Sequence, residues 1–461
     1  MVTYCQKSIS VVTLLINPVF TRIVMIKKTK NIILSSSILL LCACGGSSEN
    51  EGDIISSDPA VCASQTAQNE ALWDYLQTDY LWSEQLNTST NPSTFDSLSD
   101  LMTEVKSQVE LDKYSYVVTA QEYEDRYLNA SYFGYGLANK IESNGLLVKY
   151  VFDDGNAAAM GLTRGSLITK MNSVNIEEAI TNNTFDYDAL LGPEEEGYTV
   201  DVTWIDLNGE EQTGTMARAT VSTNTILDAR ILESSTGKVG YLAFNSFIER
   251  SAQDLDDAFS LFEQEDVSEL VLDLRYNGGG YLNVAKQLAS QIAAENVLGK
   301  PMFNYEYNKN RETNSVDFEL NNNQPRLNLP RVVILTTEQT LSASEVVINA
   351  LEPYIDVQVV GTSTGGKPVG MDINQLCDHV VFAINFKMTN SAGYGDYFDG
   401  LPADCYAEDT INSDWGDSKD PLLSEALYLL TNNSCSTTQT SQLPKQKSLY
   451  NNFGLFDKNT I

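Results

Sequence analysis

Residues 331–351, RVVILTTEQTLSASEVVINAL, decide the fold because a polar loop there joins an apolar run of strand length to an apolar helical pattern. A near-continuous apolar run is typical of a parallel strand that is covered on both faces. The same order of strand, turn and helix occurs at residues 270–280, LVLDLRYNGGG. Such units alternate from Gly237 to about Asn432, and the pattern therefore predicts an α/β domain.

Ser342 stands at the start of the helix in the first of these stretches. A serine at a strand-to-helix turn can be held exposed as a nucleophile, and the N–H of the following residue, Ala343, can stabilise an oxyanion. On this motif alone, a helix N-cap serine is the better interpretation.

The second stretch ends in three glycines, Gly278 to Gly280, which allow a ligand to approach the backbone and its N–H groups closely. A nucleotide loop is disfavoured because the G-x-G-x-x-G spacing would need glycine at Asn283, and because no G-K-[ST] follows. The turn therefore predicts binding of an anion or an oxyanion, and a structural glycine turn is the alternative.

Lys367 lies among glycines after the next apolar strand, VQVVG. In a cleft, a desolvated lysine amine can serve as a base, whereas in an open loop it would be a solvated surface residue. The chain has one histidine, His379, which excludes zinc sites that need two or three histidines. His379 opens the alternating stretch HVVFAINF and is predicted to be a strand residue.

The chain is strongly acidic, with 29 Lys and Arg against 62 Asp and Glu and a net charge of -33. Such a charge repels phosphate backbones, so nucleic acid is not expected as a partner. A length of 461 residues and a hydrophobic content of 42% predict a globular protein of two or three domains.

The N-terminal residues 1–43 have the pattern of a signal region, with basic residues from Lys27 followed by an apolar run. Their end, LCACG, resembles a bacterial lipobox, which implies lipidation of Cys44. Met25 is then the expected true start, and an uncleaved membrane anchor is the alternative. We expect residues 44–62 to be a flexible tether and the protein to be lipid-anchored in a bacterial cell envelope, facing the periplasm or the surface.

Four cysteines follow Cys44, namely Cys62, Cys377, Cys405 and Cys435. An even number in an exported chain permits two disulfides, with three possible pairings. We favour a bond between Cys377 and Cys405, and free buried thiols are the alternative.

Two units are expected before the α/β domain: helical periodicity marks residues 63–130, and short β-like runs mark residues 131–220. The second contains KYVFDDGNAAAMGLTRGSLITKMNSVNI, which resembles the core of a bacterial protease PDZ domain, with Ser166 in place of the usual aspartate. The resemblance implies capture of a C-terminal peptide by strand addition. A β-rich domain with glycine turns is the alternative. The implied carboxylate-binding loop is Tyr135, Gly136, Leu137 and Ala138.

The ordered motifs D-L-R-x-N-x-G-G, S-A-x-E and G-K resemble the C-terminal processing, or tail-specific, serine protease family. The resemblance implies a ClpP/crotonase-like α/β catalytic domain at residues 221–432, with Ser342 as nucleophile and Lys367 as general base. It assigns the oxyanion hole to the N–H groups of Gly279 and Ala343. The helical unit, with Tyr80 to Trp82 and Asp112 to Ser115, resembles the one in a lipoprotein subgroup of this family.

The implied activity is endopeptidase cleavage of exported or envelope proteins near their C-termini, without cofactor or metal. Residues 433–461 are expected to be a mobile tail, and the oligomeric state stays open.

Two departures from the family pattern affect the lysine. Met371 replaces the glutamine that commonly orients the amine, and Pro368 replaces a glycine. Asp372 and Gln375 are candidates for the missing role. A catalytically silent PDZ-containing scaffold that binds peptides is the alternative function.

Overall fold

The computed structural model describes residues 54–235 and 237–436. The predicted signal region, Cys44 and the end of the predicted tail lie outside these residues. Within the two ranges, no helix is both long enough and apolar enough to cross a membrane.

The N-terminal unit is mainly helical, and its longer helices begin at capping serines. Ser64 accepts the N–H of Ala67, and Ser97 accepts the N–H of Asp100. Its elements are β1 (Ile54–Ser56), α1 (Pro59–Cys62), α2 (Gln65–Asp79), α3 (Leu98–Ser107), β2 (Tyr116–Thr119) and α4 (Ala120–Tyr123), with short turns at Ser83–Gln85, Pro92–Thr94 and Glu124–Leu128. Because β1 and α1 lie within residues 54–62, the predicted flexible tether is wrong for that part.

The next unit is β-rich and has its own apolar core, which includes Leu146, Val148 and Trp204. Its main sheet has the order β4-β5-β6-β8-β9, with β7 paired to β6 and β4 at one edge. The elements are β3 (Ser131–Gly134), β4 (Leu137–Glu142), β5 (Gly145–Val151), α5 (Asn156–Ala159), β6 (Leu167–Met171), β7 (Val174–Asn175), α6 (Ile176–Thr181), α7 (Tyr187–Leu191), β8 (Thr199–Ile205), β9 (Glu211–Ala217) and β10 (Ala219–Ser222).

The third unit is the α/β domain that the alternating pattern predicts. Its elements are β11 (Ile226–Ser234), β12 (Gly237–Phe244), α8 (Ser251–Gln264), β13 (Glu269–Asp273), α9 (Leu282–Val297), β14 (Pro301–Tyr307), β15 (Asn314–Asp317), β16 (Arg331–Thr336), α10 (Ala343–Leu351), β17 (Asp356–Gly361), β18 (Val369–Gly370), β19 (Asn374–Leu376), β20 (His379–Phe382), β21 (Phe386–Asn390), β22 (Cys405–Tyr406) and α11 (Pro421–Asn432). As expected, His379 is a strand residue.

The main sheet of this domain has the order β11-β12-β13-β16-β17-β22, with β11 antiparallel to its neighbour and the other pairs parallel. Val332 and Ile334 face one core, and Val333 and Leu335 face another, which explains the continuous apolar run. The parallel strands β13, β16 and β17 end at one edge. The glycine turn, Ser342 and Lys367 follow these three strands.

A separate sheet joins the N-terminal unit to the α/β domain. Its order is β1-β19-β20-β2, so the first and second strands of the chain flank a late hairpin. The apolar core beneath it combines Leu76 and Tyr80 with Val381 and Ile384. The N-terminal unit is thus built onto the catalytic domain through a shared sheet and a shared core.

The expected bond between Cys377 and Cys405 is wrong. Cys62 is bonded to Cys377, and Cys405 is bonded to Cys435. The reason is topological, because Cys377 lies in the β19-β20 hairpin beside the N-terminal strand, whereas Cys405 lies on β22 at the far edge of the main sheet. The second bond also ties the start of the predicted mobile tail to that sheet.

A buried ionic network joins the β-rich unit to the α/β domain. Arg164 and Arg275, each 1% exposed, share Asp409, whose Oδ1 lies 2.8 and 3.0 Å from their guanidinium nitrogens. Arg275 also pairs with Asp273 and Asp420, both at 2.7 Å. Burial alone would raise the pKa of Asp409, but Arg275 and Arg164 lower it to about 2.

Replacing Asp409 by asparagine should reduce the free energy of unfolding by about 3 kcal/mol, because two buried guanidinium groups lose their shared carboxylate. Since the pKa of Asp409 is depressed in the folded state, its stabilising contribution is complete above its ordinary value of 3.8 and is lost as the pH falls toward about 2. Urea unfolding at pH 7 and at acidic pH measures both effects.

Glu142→Gln is the matched control, because it removes the exposed ion pair with Lys140 and should change stability little. Equal losses in the Asp409 and Glu142 variants would show that the buried network contributes no more than a surface pair.

Candidate active site

Ser342 has a backbone conformation that few residues other than glycine adopt. Its φ is 57° and its ψ is -119°, at the point where the loop after β16 enters α10. Such strain is stored at functional sites when the surrounding structure imposes it. Ala343 is the first residue of α10, so its N–H lies before the first intrahelical hydrogen bond. The turn therefore presents a serine beside a backbone donor.

The glycine turn packs directly against this serine. Gly279 has φ of 100°, and a Cβ built there would lie 2.7 Å from the Cβ of Ser342 and 2.9 Å from the N of Ala343. Only glycine fits so close an approach. The structure thus brings Gly279, Ser342 and Ala343 together. In this state the N–H of Gly279 donates to Oδ1 of Asn277 at 2.9 Å.

Asn277 connects the two turns and is completely buried. Its carbonyl accepts the N–H of Leu341 and the hydroxyl of Ser344, and its Nδ2 donates to the carbonyl of Phe244. The glycine turn is therefore fixed both to β12 and to the loop that carries Ser342. Asn277 lies in the D-L-R-x-N-x-G-G motif, but the motif alone does not indicate this role.

Glu345 is buried in the first turn of α10 and binds both sides of the site. Its Oε2 accepts the N–H of Ser342 at 2.9 Å and the N–H of Lys367 at 2.8 Å. Its Oε1 accepts the N–H of Gly366 at 2.8 Å and the hydroxyl of Thr364. Burial raises the pKa of Glu345, and the four hydrogen bonds oppose that rise. One carboxylate oxygen thus holds the serine and lysine backbones together.

The side chain of Lys367 is half-buried beside the ring of Tyr114. Burial lowers the pKa of its amine to about 8, while the negative charges of Asp112 and Glu345 act in the opposite direction. The amine nitrogen lies 5.1 Å from the ring centroid of Tyr114. A substantial fraction of this lysine is therefore neutral at mildly alkaline pH.

The two candidates for orienting Lys367 have other partners. Asp372 forms an ion pair with Arg311 at 2.8 Å and accepts a hydrogen bond from Asn385. Gln375 is exposed, and its Nε2 donates to the carbonyl of Cys377. Met371 packs among apolar residues of two adjoining cores. The structure therefore gives neither candidate the role of the missing glutamine.

The predicted carboxylate-binding loop lies at the edge strand β4. Tyr135 is buried and donates its hydroxyl to the carbonyl of Leu191, and Gly136 has φ of 91°. Burial raises the pKa of the Tyr132 hydroxyl, and the backbone groups of Gly136 and Leu137 oppose that rise. Ala138 is buried within β4. The Tyr132 hydroxyl thus lies close to the backbone that is expected to hold a peptide carboxylate.

Two family models match this chain. The model described as peptidase family S41 matches residues 238–404, and the model described as the peptidase S41 N-terminal domain matches residues 67–116. The first range includes the glycine turn, Ser342 and Lys367.

The chain belongs to peptidase family S41.

The resemblance to C-terminal processing proteases is thereby confirmed at the level of the S41 family. Its PDZ-like unit and its place in a lipoprotein subgroup stay predictions.

Individual relatives of the chain share only a minority of its residues. A protein of Staphylococcus epidermidis named "Probable CtpA-like serine protease" is 23% identical over 67% of this chain and 58% of that protein. One of the same name from Staphylococcus aureus is 31% identical over 31% of this chain and 27% of that protein. The chain therefore spans little more than half the length of the first of these relatives.

A solved structure shows the same fold. The crystal structure of a protein from Bacteroides fragilis, assigned to the S41 proteases, has a TM-score of 0.62 and 22% identity, covering 79% of this chain and 97% of that one. The prediction of an α/β peptidase domain is confirmed, and its sheets are mixed.

Replacing Glu345 by glutamine should reduce the free energy of unfolding by about 2 kcal/mol or more. The new amide cannot accept hydrogen bonds through its nitrogen, so buried N–H groups near Ser342 or Lys367 lose their acceptor. Urea unfolding measures the change. Glu295→Gln, on the exposed side of α9, is the control and should have wild-type stability. Wild-type stability of the Glu345 variant would show that the hydrogen bonds to this carboxylate do not stabilise the site.

Proposed function

We propose that the chain is a serine endopeptidase that cuts proteins near their C-termini, with Ser342 as nucleophile and Lys367 as general base. The observation that carries the proposal is the shared oxygen of Glu345, which binds the backbone N–H groups of both residues. A strained serine, a lysine of lowered pKa and a glycine turn then meet at one edge of the sheet. Membership of the S41 family supports the same chemistry.

The reaction follows from these roles. The neutral amine of Lys367 takes the proton of the Ser342 hydroxyl as its oxygen attacks the scissile carbonyl carbon. The developing oxyanion is stabilised by the N–H groups of Ala343 and Gly279. Binding by Gly279 requires its N–H to leave Oδ1 of Asn277. The ammonium of Lys367 then protonates the leaving amine, and water releases the acyl group by the same steps.

The β-rich unit is proposed to capture the substrate by its C-terminus. Edge strand β4 suits strand addition, and the Gly136 and Leu137 N–H groups suit a terminal carboxylate. Asn139 of β4 donates to the hydroxyl of Tyr187 at 2.7 Å, which joins the edge strand to α7. With the predicted lipobox at Cys44, the substrates are proposed to be exported or envelope proteins.

Ser342→Ala should abolish peptide turnover, and Lys367→Arg should reduce it nearly as far, because a guanidinium stays protonated and cannot accept the serine proton. In the unaltered chain kcat should rise with pH through about 8, because the base is the neutral form of Lys367. Hydrolysis of an unstructured peptide between pH 6 and 10 measures both effects.

His379→Ala is the control for these variants and should retain turnover, because His379 is a strand residue of the sheet shared with the N-terminal unit. Loss of turnover in a folded His379 variant would overturn the serine–lysine assignment. Peptide binding without turnover by the unaltered chain would favour the alternative function, a catalytically silent scaffold.

A peptide with a free C-terminal carboxylate should bind more tightly than its amide, because only the carboxylate can accept hydrogen bonds strongly from Gly136 and Leu137. Tyr132→Phe should increase the preference, since it removes a hydroxyl that lies close to the backbone of Gly136 and Leu137. Fluorescence anisotropy with Ser342→Ala protein measures both affinities, and Tyr198→Phe is a control tyrosine of the same unit. Equal binding of acid and amide would rule out carboxylate capture at this loop.

A further inference from the structure

The amine of Lys367 needs a neighbour that fixes its position, and the three residues considered for that role after it in the chain do not supply one. Met371 is apolar, while Asp372 and Gln375 bond to other groups. A lysine side chain has four rotatable bonds, so an unsupported amine would spend little time in the reactive geometry. The support must come from another part of the fold.

Tyr114 of the N-terminal unit contacts both Lys367 and the residue before it. The Lys367 amine nitrogen lies 5.1 Å from the centroid of the Tyr114 ring, within the range of a cation–π interaction. The Tyr114 hydroxyl donates to the carbonyl of Gly366 at 3.1 Å. One buried side chain thus binds both the end of the lysine side chain and the residue directly before it.

Tyr114 is itself held by a buried carboxylate. Oδ1 of Asp112 accepts the N–H groups of Tyr114 and Ser115 at 3.0 and 2.9 Å, and Oδ2 accepts the hydroxyl of Tyr80 at 2.7 Å. Ser115 in turn accepts the N–H of Ile384 from the catalytic domain at 3.0 Å. The ring is therefore presented on a rigid support, as precise placement of a functional group requires.

The pKa of Lys367 depends on its burial, on two nearby carboxylates and on the ring of Tyr114. Burial lowers the pKa of Lys367, and the carboxylates of Asp112 and Glu345 raise it. The electron-rich ring face also stabilises the ammonium form. Burial, Glu345 and Asp112 all raise the pKa of the Tyr114 hydroxyl, which therefore stays protonated where Lys367 titrates. Tyr114 does not exchange the proton.

We propose that Tyr114 is the positioning residue of Lys367, holding the amine against its ring face and the preceding peptide through its hydroxyl. The N-terminal unit then completes the active site of the catalytic domain. This role rests on the proposed function of Lys367 as base, and it supplies the orientation that position 371 lacks.

The first test measures the titration midpoint of the Lys367 amine in protein that cannot turn over substrate. In Ser342→Ala protein with lysine labelled at Cε, the resonance that disappears in the Lys367→Arg variant is titrated by NMR. Tyr114→Leu keeps an apolar cover but removes the ring face, so the titration midpoint should fall by about one pH unit. Tyr114→Phe keeps the ring and should leave the midpoint within about 0.3 units.

The second test measures catalysis with Ser342 intact. Tyr114→Leu should lower kcat about 10- to 100-fold with an unchanged KM, because the amine is misplaced while substrate contacts remain. Tyr114→Phe should stay within about fivefold, since only one hydrogen bond is lost. Tyr116→Leu removes a tyrosine two residues away that stacks on Phe382, and it controls for general loosening of this unit.

An unchanged or raised Lys367 midpoint in folded Tyr114→Leu protein would overturn the proposal, as would the same loss of kcat in the Tyr116 and Tyr114 variants. Absence of turnover in the unaltered chain would instead count against the proposed function. The NMR titration would still decide whether the Tyr114 ring contacts the amine.

Discussion

The buried carboxylate of Glu345 is the interaction on which the site depends. A carboxylate taken out of water is costly unless every oxygen is well satisfied, and here three backbone N–H groups and one hydroxyl do so. Two of these donors belong to Ser342 and Lys367. The need to solvate one buried charge therefore brings the strained serine turn and the lysine loop to the same place.

The same principle operates at two other positions. Asp112 binds two N–H groups and a phenol in the N-terminal unit, and Asp409 binds two guanidinium groups between the β-rich unit and the catalytic domain. Each carboxylate orders a segment that adjoins the site: the loop of Tyr114 in one case and the strand end before Asn277 in the other. Buried acids thus order two segments that lie where the three units meet.

The sequence predicts those features of the fold that depend on short, local patterns of residues. Apolar strands followed by glycine or serine turns identify the α/β domain, and their order places the carboxyl ends of β13, β16 and β17 at one edge. The sequence does not predict contacts between residues that are far apart along the chain. The partner of Cys377 is 315 residues away, and Tyr114 is 252 residues from Gly366. Glu345 was visible in its motif, but no pattern shows that its oxygens face both loops, or that Asn277 binds the N–H of Gly279.

One sheet places β1 and β2 beside β19 and β20, so this sheet can form only after the late strands have been synthesised. Strands from the first part of the chain have no partners until residues near position 380 have been synthesised, and the loop of Tyr114 has no support from Ile384 before then. Contacts of such large sequence separation form late in folding. A growing chain therefore carries separated pieces of the site, and the lysine acquires its surroundings only when synthesis of the catalytic domain is nearly complete.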